Sequence, residues 1–376
     1  MKDYLGKDIK KLGFGFMRLP MVDGEVDVAH TQKMVDHFMS NGFTYFDTAY
    51  VYIGGKSEVH LRETLVKKYP RESFQIASKM PTWGLKDESQ FDEYFNETME
   101  RLGIDYIDFY LVHALNRNSY KQSSELGVWE FIAKKKAEGK IKHIGFSFHD
   151  NAEVLDQILT EHPETEFVQL QINYVDWESD NVQSRKCYEV ALKHNKPIII
   201  MEPVKGGTLA NVSAKSEEVM KKFNPSATPS SWAVRYCASL DNIITVLSGM
   251  SNMEQIEDNV SYMKDFKKFT KEEYACIDAV VDIINKIPTI PCTDCKYCVD
   301  GCPMNINIPR LFGVFNQHKK YGADQNVASN KGQFNEVVKD KGLPSECVSC
   351  GACEGHCPQK IEIIQELANI ANVYEK

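Results

Sequence analysis

The chain reads CTDCKYCVDGCP at residues 292–303 and CVSCGACEGHCP at residues 347–358. Both stretches follow the pattern C-x₂-C-x₂-C-x₃-C-P, and together they hold eight of the eleven cysteines. This pattern is typical of bacterial ferredoxins, which bind [4Fe–4S] clusters. Zinc sites use C-x₂-C pairs instead, and three cysteines spaced two residues apart pair badly as disulfides. The sequence therefore predicts a small, α-rich, bacterial-ferredoxin-like iron–sulfur domain with two clusters.

In this pattern the first three cysteines of a run bind one cluster, and the fourth cysteine binds the other. The first cluster is therefore expected on Cys292, Cys295, Cys298 and Cys357. The second cluster is expected on Cys347, Cys350, Cys353 and Cys302. The remaining cysteines are isolated in the sequence and are expected to be small, buried or half-buried side chains: Cys187, Cys237 and Cys276.

Upstream of the cysteines, short apolar runs alternate with longer amphipathic stretches. Eight runs predict strands: Gly13–Met17, Tyr45–Asp47, Phe74–Lys79, Ile107–Val112, His143–Phe146, Phe167–Gln169, Pro197–Met201 and Ile243–Leu247. Repeated βα units imply a parallel sheet, and eight units in about 250 residues favour a closed barrel. No G-x-G-x-x-G follows the first strand, which counts against an open dinucleotide-binding sheet. We therefore expect an α/β fold, with a (β/α)₈ TIM barrel over residues 1–287 and the iron–sulfur domain over residues 288–376.

The charge and hydropathy of the chain exclude some classes of function. Acidic residues outnumber basic ones, 53 to 44, which argues against a general nucleic-acid binder. No apolar run is long enough to span a membrane, and the first residues carry no secretory signal pattern. We expect a cytoplasmic protein without membrane or nucleic-acid partners, and the clusters indicate an anaerobic or low-oxygen cytoplasm.

Four polar residues fall where barrel enzymes carry their chemistry, at or just after the C-terminal ends of strands. Asp47 ends the second predicted strand, Lys79 ends the third, and His113 follows the fourth. Tyr52 lies five residues after Asp47. Each residue alone has an ordinary structural explanation, but the four together at successive strand ends indicate an active site.

The sequence resembles the aldo-keto reductases over nearly all of residues 8–285. The resemblance rests on LGFGFMRLP at residues 12–20, DTAYVY at residues 47–52, GGKSE at residues 54–58, Lys79 and His113. The cysteine tail is similar to that of a subgroup ending in a two-cluster ferredoxin-like domain. The family spacing selects Tyr52 over Tyr50, and His149 is a weaker alternative to His113.

The resemblance implies nicotinamide-dependent reduction of a carbonyl or oxidation of an alcohol. Tyr52 would be the general acid, and a Lys79 cation beside it would lower the pKa of this tyrosine. Asp47 would keep Lys79 charged and in place. His113 would hydrogen-bond the carbonyl oxygen and orient it.

The resemblance also implies ten cofactor contacts: Met17, Ser147, Gln171, Met201, Val204, Gly206, Gly249, Ser251, Gln255 and Asn259. Four positions depart from the family pattern. Phe148 replaces the usual asparagine after the serine, and Met201 replaces the usual aromatic residue. The usual 2′-phosphate clamp of Lys and Arg corresponds to Gly249 and Gln255, which weakens the case for NADPH. NADH and NADPH therefore both stay open, as does a flavin in the same groove.

Three interpretations of function stay open. The first is a reductase of a small carbonyl or alcohol whose clusters exchange electrons with a ferredoxin- or flavodoxin-type carrier. The second is an electron-transfer module or flavin-linked redox protein in which the barrel is a docking scaffold. The third is a reductase with purely structural clusters. Hydride moves two electrons together and each cluster moves one, so a flavin would be the natural converter; the sequence shows no separate flavin motif.

Overall fold

The structure is a computed structural model that describes residues 4–82, 85–180, 182–292, 296, 298–299, 301–321, 327–357 and 360–376. The chain divides into two compact units, Met1–Gly206 with Ser230–Lys271, and Gly207–Pro229 with Glu272–Lys376. The second unit thus begins before residue 288, and the domain boundary at 287/288 stays a prediction for the iron–sulfur domain.

Eight parallel strands of the first unit close into a barrel in the order β1-β10-β9-β8-β7-β6-β5-β4. Their bounds are β1 Leu12–Gly15, β4 Tyr45–Asp47, β5 Gln75–Met80, β6 Ile107–Leu115, β7 Ile141–Phe148, β8 Phe167–Gln171, β9 Ile198–Met201 and β10 Ile243–Gly249. All eight predicted strands are present with small shifts at their ends, so the predicted barrel is confirmed. A short antiparallel hairpin, which the sequence analysis did not predict, follows the first strand: β2 Met21–Val22 and β3 Glu25–Val26.

Among the described residues, eleven α-helices precede the cysteine runs. They are α1 Val28–Ser40, α2 Ser57–Leu61, α3 Ser89–Leu102, α4 Arg117–Glu125, α5 Val128–Ala137, α6 Ala152–Glu161, α7 Ser184–Lys193, α8 Ala214–Phe223, α9 Pro229–Ser239, α10 Met253–Met263 and α11 Lys271–Asn285. Helix α1 shows how local sequence sets an end, because the Asp27 carboxylate caps it by accepting from the His30 N–H at 2.9 Å. No described helix is long and apolar enough to cross a membrane.

Inward-facing side chains fill the barrel, as in a packed core rather than a pore. The buried cluster contains Tyr45, Ala77, Phe109, Leu111, Phe167, Ile199, Ile244 and Leu247. Gly145 on β7 lies against the neighbouring strand so closely that a Cβ there would be 2.6 Å from the Phe167 carbonyl oxygen. Only glycine fits this approach, which fixes how β7 and β8 pack.

The second unit contains α12 Ile308–Tyr321, α13 Val327–Val338, α14 Ala352–Gly355 and α15 Ile363–Tyr374 besides α8 and α11. Helices α12 to α15 enclose a core with members Ile306, Leu311, Phe312, Phe334, Leu367, Ile370 and Tyr374. Cys298 and Cys353 are buried in this core, and other cysteines of both runs pack against it: Cys292, Cys302, Cys347 and Cys357.

Candidate active site and cysteine cavity

Adjacent strands β4 and β5 bring Asp47 and Lys79 together inside the mouth of the barrel. The Lys79 ammonium donates to Asp47 Oδ1 at 2.7 Å and to the Thr48 carbonyl at 2.7 Å. Lys79 is 0% exposed and Asp47 3%. A buried ion pair is expensive to build, and here two acceptors hold the ammonium in one geometry.

Tyr52 lies beside this pair in a 3₁₀ turn at Tyr52–Gly55. Its ring centroid is 4.9 Å from Lys79 Nζ and 5.8 Å from the ring centroid of His113. The alternative Tyr50 is held elsewhere, because its hydroxyl donates to Glu97 Oε2 on α3 at 2.5 Å. The structure therefore groups Tyr52, and not the Tyr50 hydroxyl, with Lys79.

A β-bulge at the end of β6 positions His113. The pairing of β6 with β7 shifts between Val112 and Leu115, and Ala114 has a positive φ of 53°. The Ala114 N–H donates to Ser147 Oγ at 2.7 Å. Bulges re-aim side chains at barrel rims, and here His113 is 7% exposed and beside Tyr52.

Burial and neighbouring charges set the protonation states. Burial, followed by the charges of Lys79 and His149, places the pKa of His113 well below its ordinary value, so the imidazole is neutral at neutral pH. Burial acts to lower the pKa of Lys79, but Asp47 and Tyr52 outweigh it and raise this pKa. The pKa of Tyr52 is raised, chiefly by burial, although Lys79 acts against the rise. Lys79 therefore acts on the pKa of Tyr52 in the predicted direction, but burial outweighs it in the protein without a ligand. The net shift of this pKa is upward, which corrects the prediction.

The residues predicted around the nicotinamide lie on neighbouring strands. Ser147 is buried on β7, Gln171 ends β8 and Met201 ends β9. A small cavity next to them is lined by Phe148, His149, Asp150, Leu170, Gln171, Val182 and Cys187. Because the Ser147 hydroxyl accepts from a backbone N–H, its own hydrogen is available to donate to a ligand.

The residues predicted around the adenosine end lie at the end of β10, in the loop after it and on helix α10. Gly249 ends β10, and Asn252 caps helix α10 behind it. Ser251 Oγ donates to the Arg18 carbonyl at 2.8 Å, while its N–H donates to Gln255 Oε1 at 2.7 Å. Asn259 Nδ2 donates to Ser248 Oγ at 2.9 Å. The other predicted cofactor contacts are Met17, which is 53% exposed, Val204 in a turn, and Gly206 in the 3₁₀ helix Lys205–Ala210.

Two cations at this mouth were not predicted from the sequence as cofactor contacts. Carbons of the Arg18 side chain lie 3.4–3.7 Å from where a Cβ of Gly249 would be. Lys205 Nζ lies 2.8 Å from both carboxylate oxygens of the buried Asp176. Their positions in the sequence could have indicated both cations. Arg18 directly follows the predicted contact Met17, and Lys205 lies between the predicted contacts Val204 and Gly206.

Seven of the eight predicted cluster ligands can be located, while Cys295 lies outside the described residues. One small cavity is lined by Cys302, Cys347, Cys350 and Cys353, together with apolar side chains such as Ile306 and Leu367. These four cysteines are the predicted ligands of the second cluster, and their thiol donors suit iron. Among the residues the structure describes, no group of three or more potential ligands is close enough to hold a single metal ion.

The other cysteines are also placed. Cys298 is buried, and Cys292 and Cys357 are half-buried against the same core. The three isolated cysteines are buried, which confirms the prediction: Cys187, Cys237 and Cys276. Burial raises the pKa of the Cys187 thiol to about 12, so this cysteine is protonated and unreactive despite lining a cavity.

Comparison with known proteins finds a matching family model for each of the two parts of the chain. The model of the aldo/keto reductase family matches residues 11–282, and that of the 4Fe-4S dicluster domain matches residues 291–362. The chain is similar to a probable aldo-keto reductase of Glycine max, with 31% identity over 38% of this chain and 42% of that protein. It is also similar to the 9,11-endoperoxide prostaglandin H2 reductase of Trypanosoma cruzi, with 26% identity over 71% of this chain and 86% of that protein.

A solved structure shows the same barrel. The holo form of an aldo-keto reductase from Bacillus halodurans superposes with a TM-score of 0.60 and 21% identity, over 74% of this chain and 95% of that one. The chain therefore belongs to the aldo/keto reductase family of oxidoreductases, and it carries a 4Fe-4S dicluster domain after the reductase region.

Proposed function

We propose that the barrel reduces a small carbonyl compound, or oxidises the corresponding alcohol, with a nicotinamide cofactor and with Tyr52 as the proton donor. The observation that carries the proposal is the placement of Lys79. Its ammonium is fixed by Asp47 on one side and lies 4.9 Å from the Tyr52 ring centroid on the other. The His113 ring adjoins the same tyrosine.

In the proposed reaction, Tyr52 and His113 act directly on the carbonyl oxygen, and Lys79 and Asp47 support Tyr52. When bound, the reduced nicotinamide supplies hydride to the carbonyl carbon. Tyr52 donates its phenolic proton to the oxygen, and the Lys79 cation stabilises the tyrosinate that remains. Asp47 holds Lys79 charged inside the barrel. A neutral His113 can donate one ring N–H to the same oxygen, and its lowered pKa supplies that neutral form.

The residues predicted to contact the cofactor have the chemistry that a nicotinamide nucleotide needs. Ser147 and Gln171 offer a hydroxyl and an amide on the adjacent strands β7 and β8, which suits a carboxamide. Arg18 lies on Gly249, the position where the family's lysine is missing, and would supply a cation for the phosphates. We expect NADH and NADPH both to bind, and a flavin in this groove is the alternative.

We propose that the two cysteine sets described above each hold a [4Fe–4S] cluster, and that the clusters exchange electrons with a ferredoxin- or flavodoxin-type carrier. The shared cavity of Cys302 and Cys347, which come from different runs, supports the ligand assignment. Anaerobic titration with NADH and NADPH, followed by absorbance and EPR, tests the exchange. Clusters that stay oxidised while a carbonyl is reduced would instead support a structural role.

The proton-donor role is tested by comparing Tyr52→Phe with Tyr50→Phe. Reduction of 4-nitrobenzaldehyde and methylglyoxal is followed with NADH and with NADPH. Removing a general acid costs about 10²–10⁴-fold in rate, so we expect that loss in kcat for Tyr52→Phe only. The cluster absorbance should be the same in both variants. Equal losses, or no loss with Tyr52→Phe, would refute the proposed role.

A further inference from the structure

The segment that carries Tyr52, residues 48–58, is anchored at its two ends. Thr48 Oγ1 and Ser57 Oγ lie 2.7 Å apart, and Ser57 Oγ donates to the Phe16 carbonyl at 2.9 Å. Between the ends, the turn passes through left-handed backbone at Ile53 and Gly54, with φ of 52° and 61°. Anchored ends do not by themselves fix Tyr52, which lies in the half-exposed middle of the segment.

Arg101 on α3 contacts this segment on both sides of Tyr52. Its Nη1 donates to the Tyr50 carbonyl at 3.0 Å, and its guanidinium lies 4.2 Å from the centroid of the Tyr50 ring. On the other side, a Cβ on Gly55 would lie 3.3 Å from Arg101 Nη2. Gly55 has a φ of 85°, so glycine allows both the turn and the close approach of the guanidinium.

The same guanidinium is held by two carboxylates. Arg101 Nη2 pairs with Glu97 Oε1 at 2.5 Å, and Nη1 lies 3.5 Å from Glu58 Oε2. Glu58 is fully buried, and its Oε1 accepts from Ser78 Oγ at 2.6 Å. Ser78 directly precedes Lys79 on β5. The contacts therefore run from the Tyr52 segment, through Arg101 and Glu58, to the strand that carries Lys79.

We infer that Arg101 is a positioning residue that sets the distance between Tyr52 and Lys79. The planar guanidinium contacts the Tyr50 carbonyl, the Tyr50 ring and two carboxylates at the same time. A lysine ammonium in the same place cannot reproduce that fork. The catalytic consequence rests on the proposed function, whereas the restraint of residues 48–58 does not.

Arg71 provides a matched control in the same barrel. Its Nη2 donates to the Tyr106 carbonyl at 2.9 Å and to Asp108 Oδ2 at 2.5 Å, and its guanidinium lies 4.0 Å from the Tyr106 ring centroid. The Arg71 side chain is 17% exposed and that of Arg101 19%. Arg71 precedes β5, however, so its contacts lie at the N-terminal ends of the strands. Tyr52 lies at the opposite end of the barrel.

The test uses the full chain with its clusters and compares Arg101→Lys, Arg101→Met and Arg71→Lys. Hydrogen exchange by mass spectrometry follows residues 48–58, where we expect about tenfold faster exchange in both Arg101 variants, with the larger effect in Arg101→Met. Reduction of 4-nitrobenzaldehyde is measured across pH. A displacement near 1 Å can cost about 10²-fold in rate, so kcat should fall about 10–100-fold with KM for the nucleotide little changed.

The pH profile gives a readout that lost stability alone would not move. If Tyr52 moves away from Lys79, the cation stabilises tyrosinate less, and the pKa of Tyr52 rises. The high-pH limb of reduction should therefore shift upward in Arg101→Lys and stay in place in Arg71→Lys. We expect Arg71→Lys to lower the melting temperature all the same, because it loses the contacts to Tyr106 and Asp108.

Two results would overturn the inference: unchanged exchange at residues 48–58 in both Arg101 variants, or the same exchange and pH changes in Arg71→Lys. If Arg101→Met does not fold, Arg101→Lys decides. If the wild-type protein reduces neither probe aldehyde with NADH or NADPH, the proposed function fails, and the exchange measurement alone decides whether Arg101 restrains the segment.

Discussion

Removing one charge of the buried Asp47–Lys79 pair should destabilise the barrel strongly. The two groups are 2.7 Å apart, and their side chains are 5% and 0% exposed. In Asp47→Asn the Lys79 ammonium keeps the Thr48 carbonyl as acceptor but loses its counter-charge. Breaking a buried pair in this way costs about 3–5 kcal/mol, and we expect that loss in the free energy of unfolding at pH 7.

The pH dependence of this loss has a definite sign. In the wild-type protein the pKa of Lys79 is raised, so its contribution is complete below the pKa of the unfolded chain and is lost as pH rises through the folded pKa. In Asp47→Asn, burial without Asp47 should lower the pKa of Lys79 below that of the unfolded chain. The unfolded state then binds more protons, so the stability of the variant rises with pH and the difference from wild type shrinks above pH 7.

Urea unfolding followed by tryptophan fluorescence measures this difference in the barrel region. All four tryptophans precede the cysteine runs: Trp83, Trp129, Trp177 and Trp232. The control is Asp47→Asn combined with Lys79→Met, which removes the stranded charge and should recover most of the stability. An Asp47→Asn protein within about 0.5 kcal/mol of wild type at pH 7, the range of a neutral surface change, would refute the reasoning. So would a deficit that grows with pH.

Three further outcomes are expected. Because the pKa of His113 lies well below its ordinary value, kcat/KM should show no inflection near pH 6.5, the value of a free histidine; a pH–rate profile checks this. Cys302→Ser should remove about half of the bound iron, since the proposed ligands make two separate clusters, whereas Cys237→Ser should leave iron content and EPR signals unchanged. Gly249 is exposed and lacks a positive φ, so Gly249→Lys is sterically permitted. It should lower KM for NADPH relative to NADH by about tenfold, as one added phosphate contact would, in steady-state assays with both nucleotides.

The sequence predicted those features that follow from strand order and spacing. Asp47, Lys79 and His113 fall at strand ends in a repeating pattern, and a barrel gathers such positions at one mouth. Tertiary packing decided what the sequence could not predict. Arg101 reaches the Tyr50 carbonyl across 51 positions, and no spacing rule links a helix residue to a turn on another βα unit.

Local backbone geometry could not be predicted from the sequence either. The bulge at Ala114 has no glycine to mark it, yet it determines how His113 faces the site and which group the Ser147 hydroxyl meets. The direction of the pKa shift of Tyr52 was also missed, because it depends on how deeply packing buries the ring. Arg18 lay within the segment quoted for the resemblance, but its position on Gly249 is visible only in three dimensions.

The apolar core that contains cysteines of both runs would make the folding of the second unit depend on iron supply if the proposed clusters form there. Cys298 and Cys353 are buried among the side chains that hold the second unit together, and four further cysteines pack against them. Under the proposed ligand assignment, a cell short of iron would leave thiols in that interior without the bonds that would cross-link the two runs. Because metal binding and folding are coupled in small metal domains, newly made chains would remain loosely folded and open to proteases. The abundance of the enzyme, and not only its activity, would then follow the nutritional state of the cell.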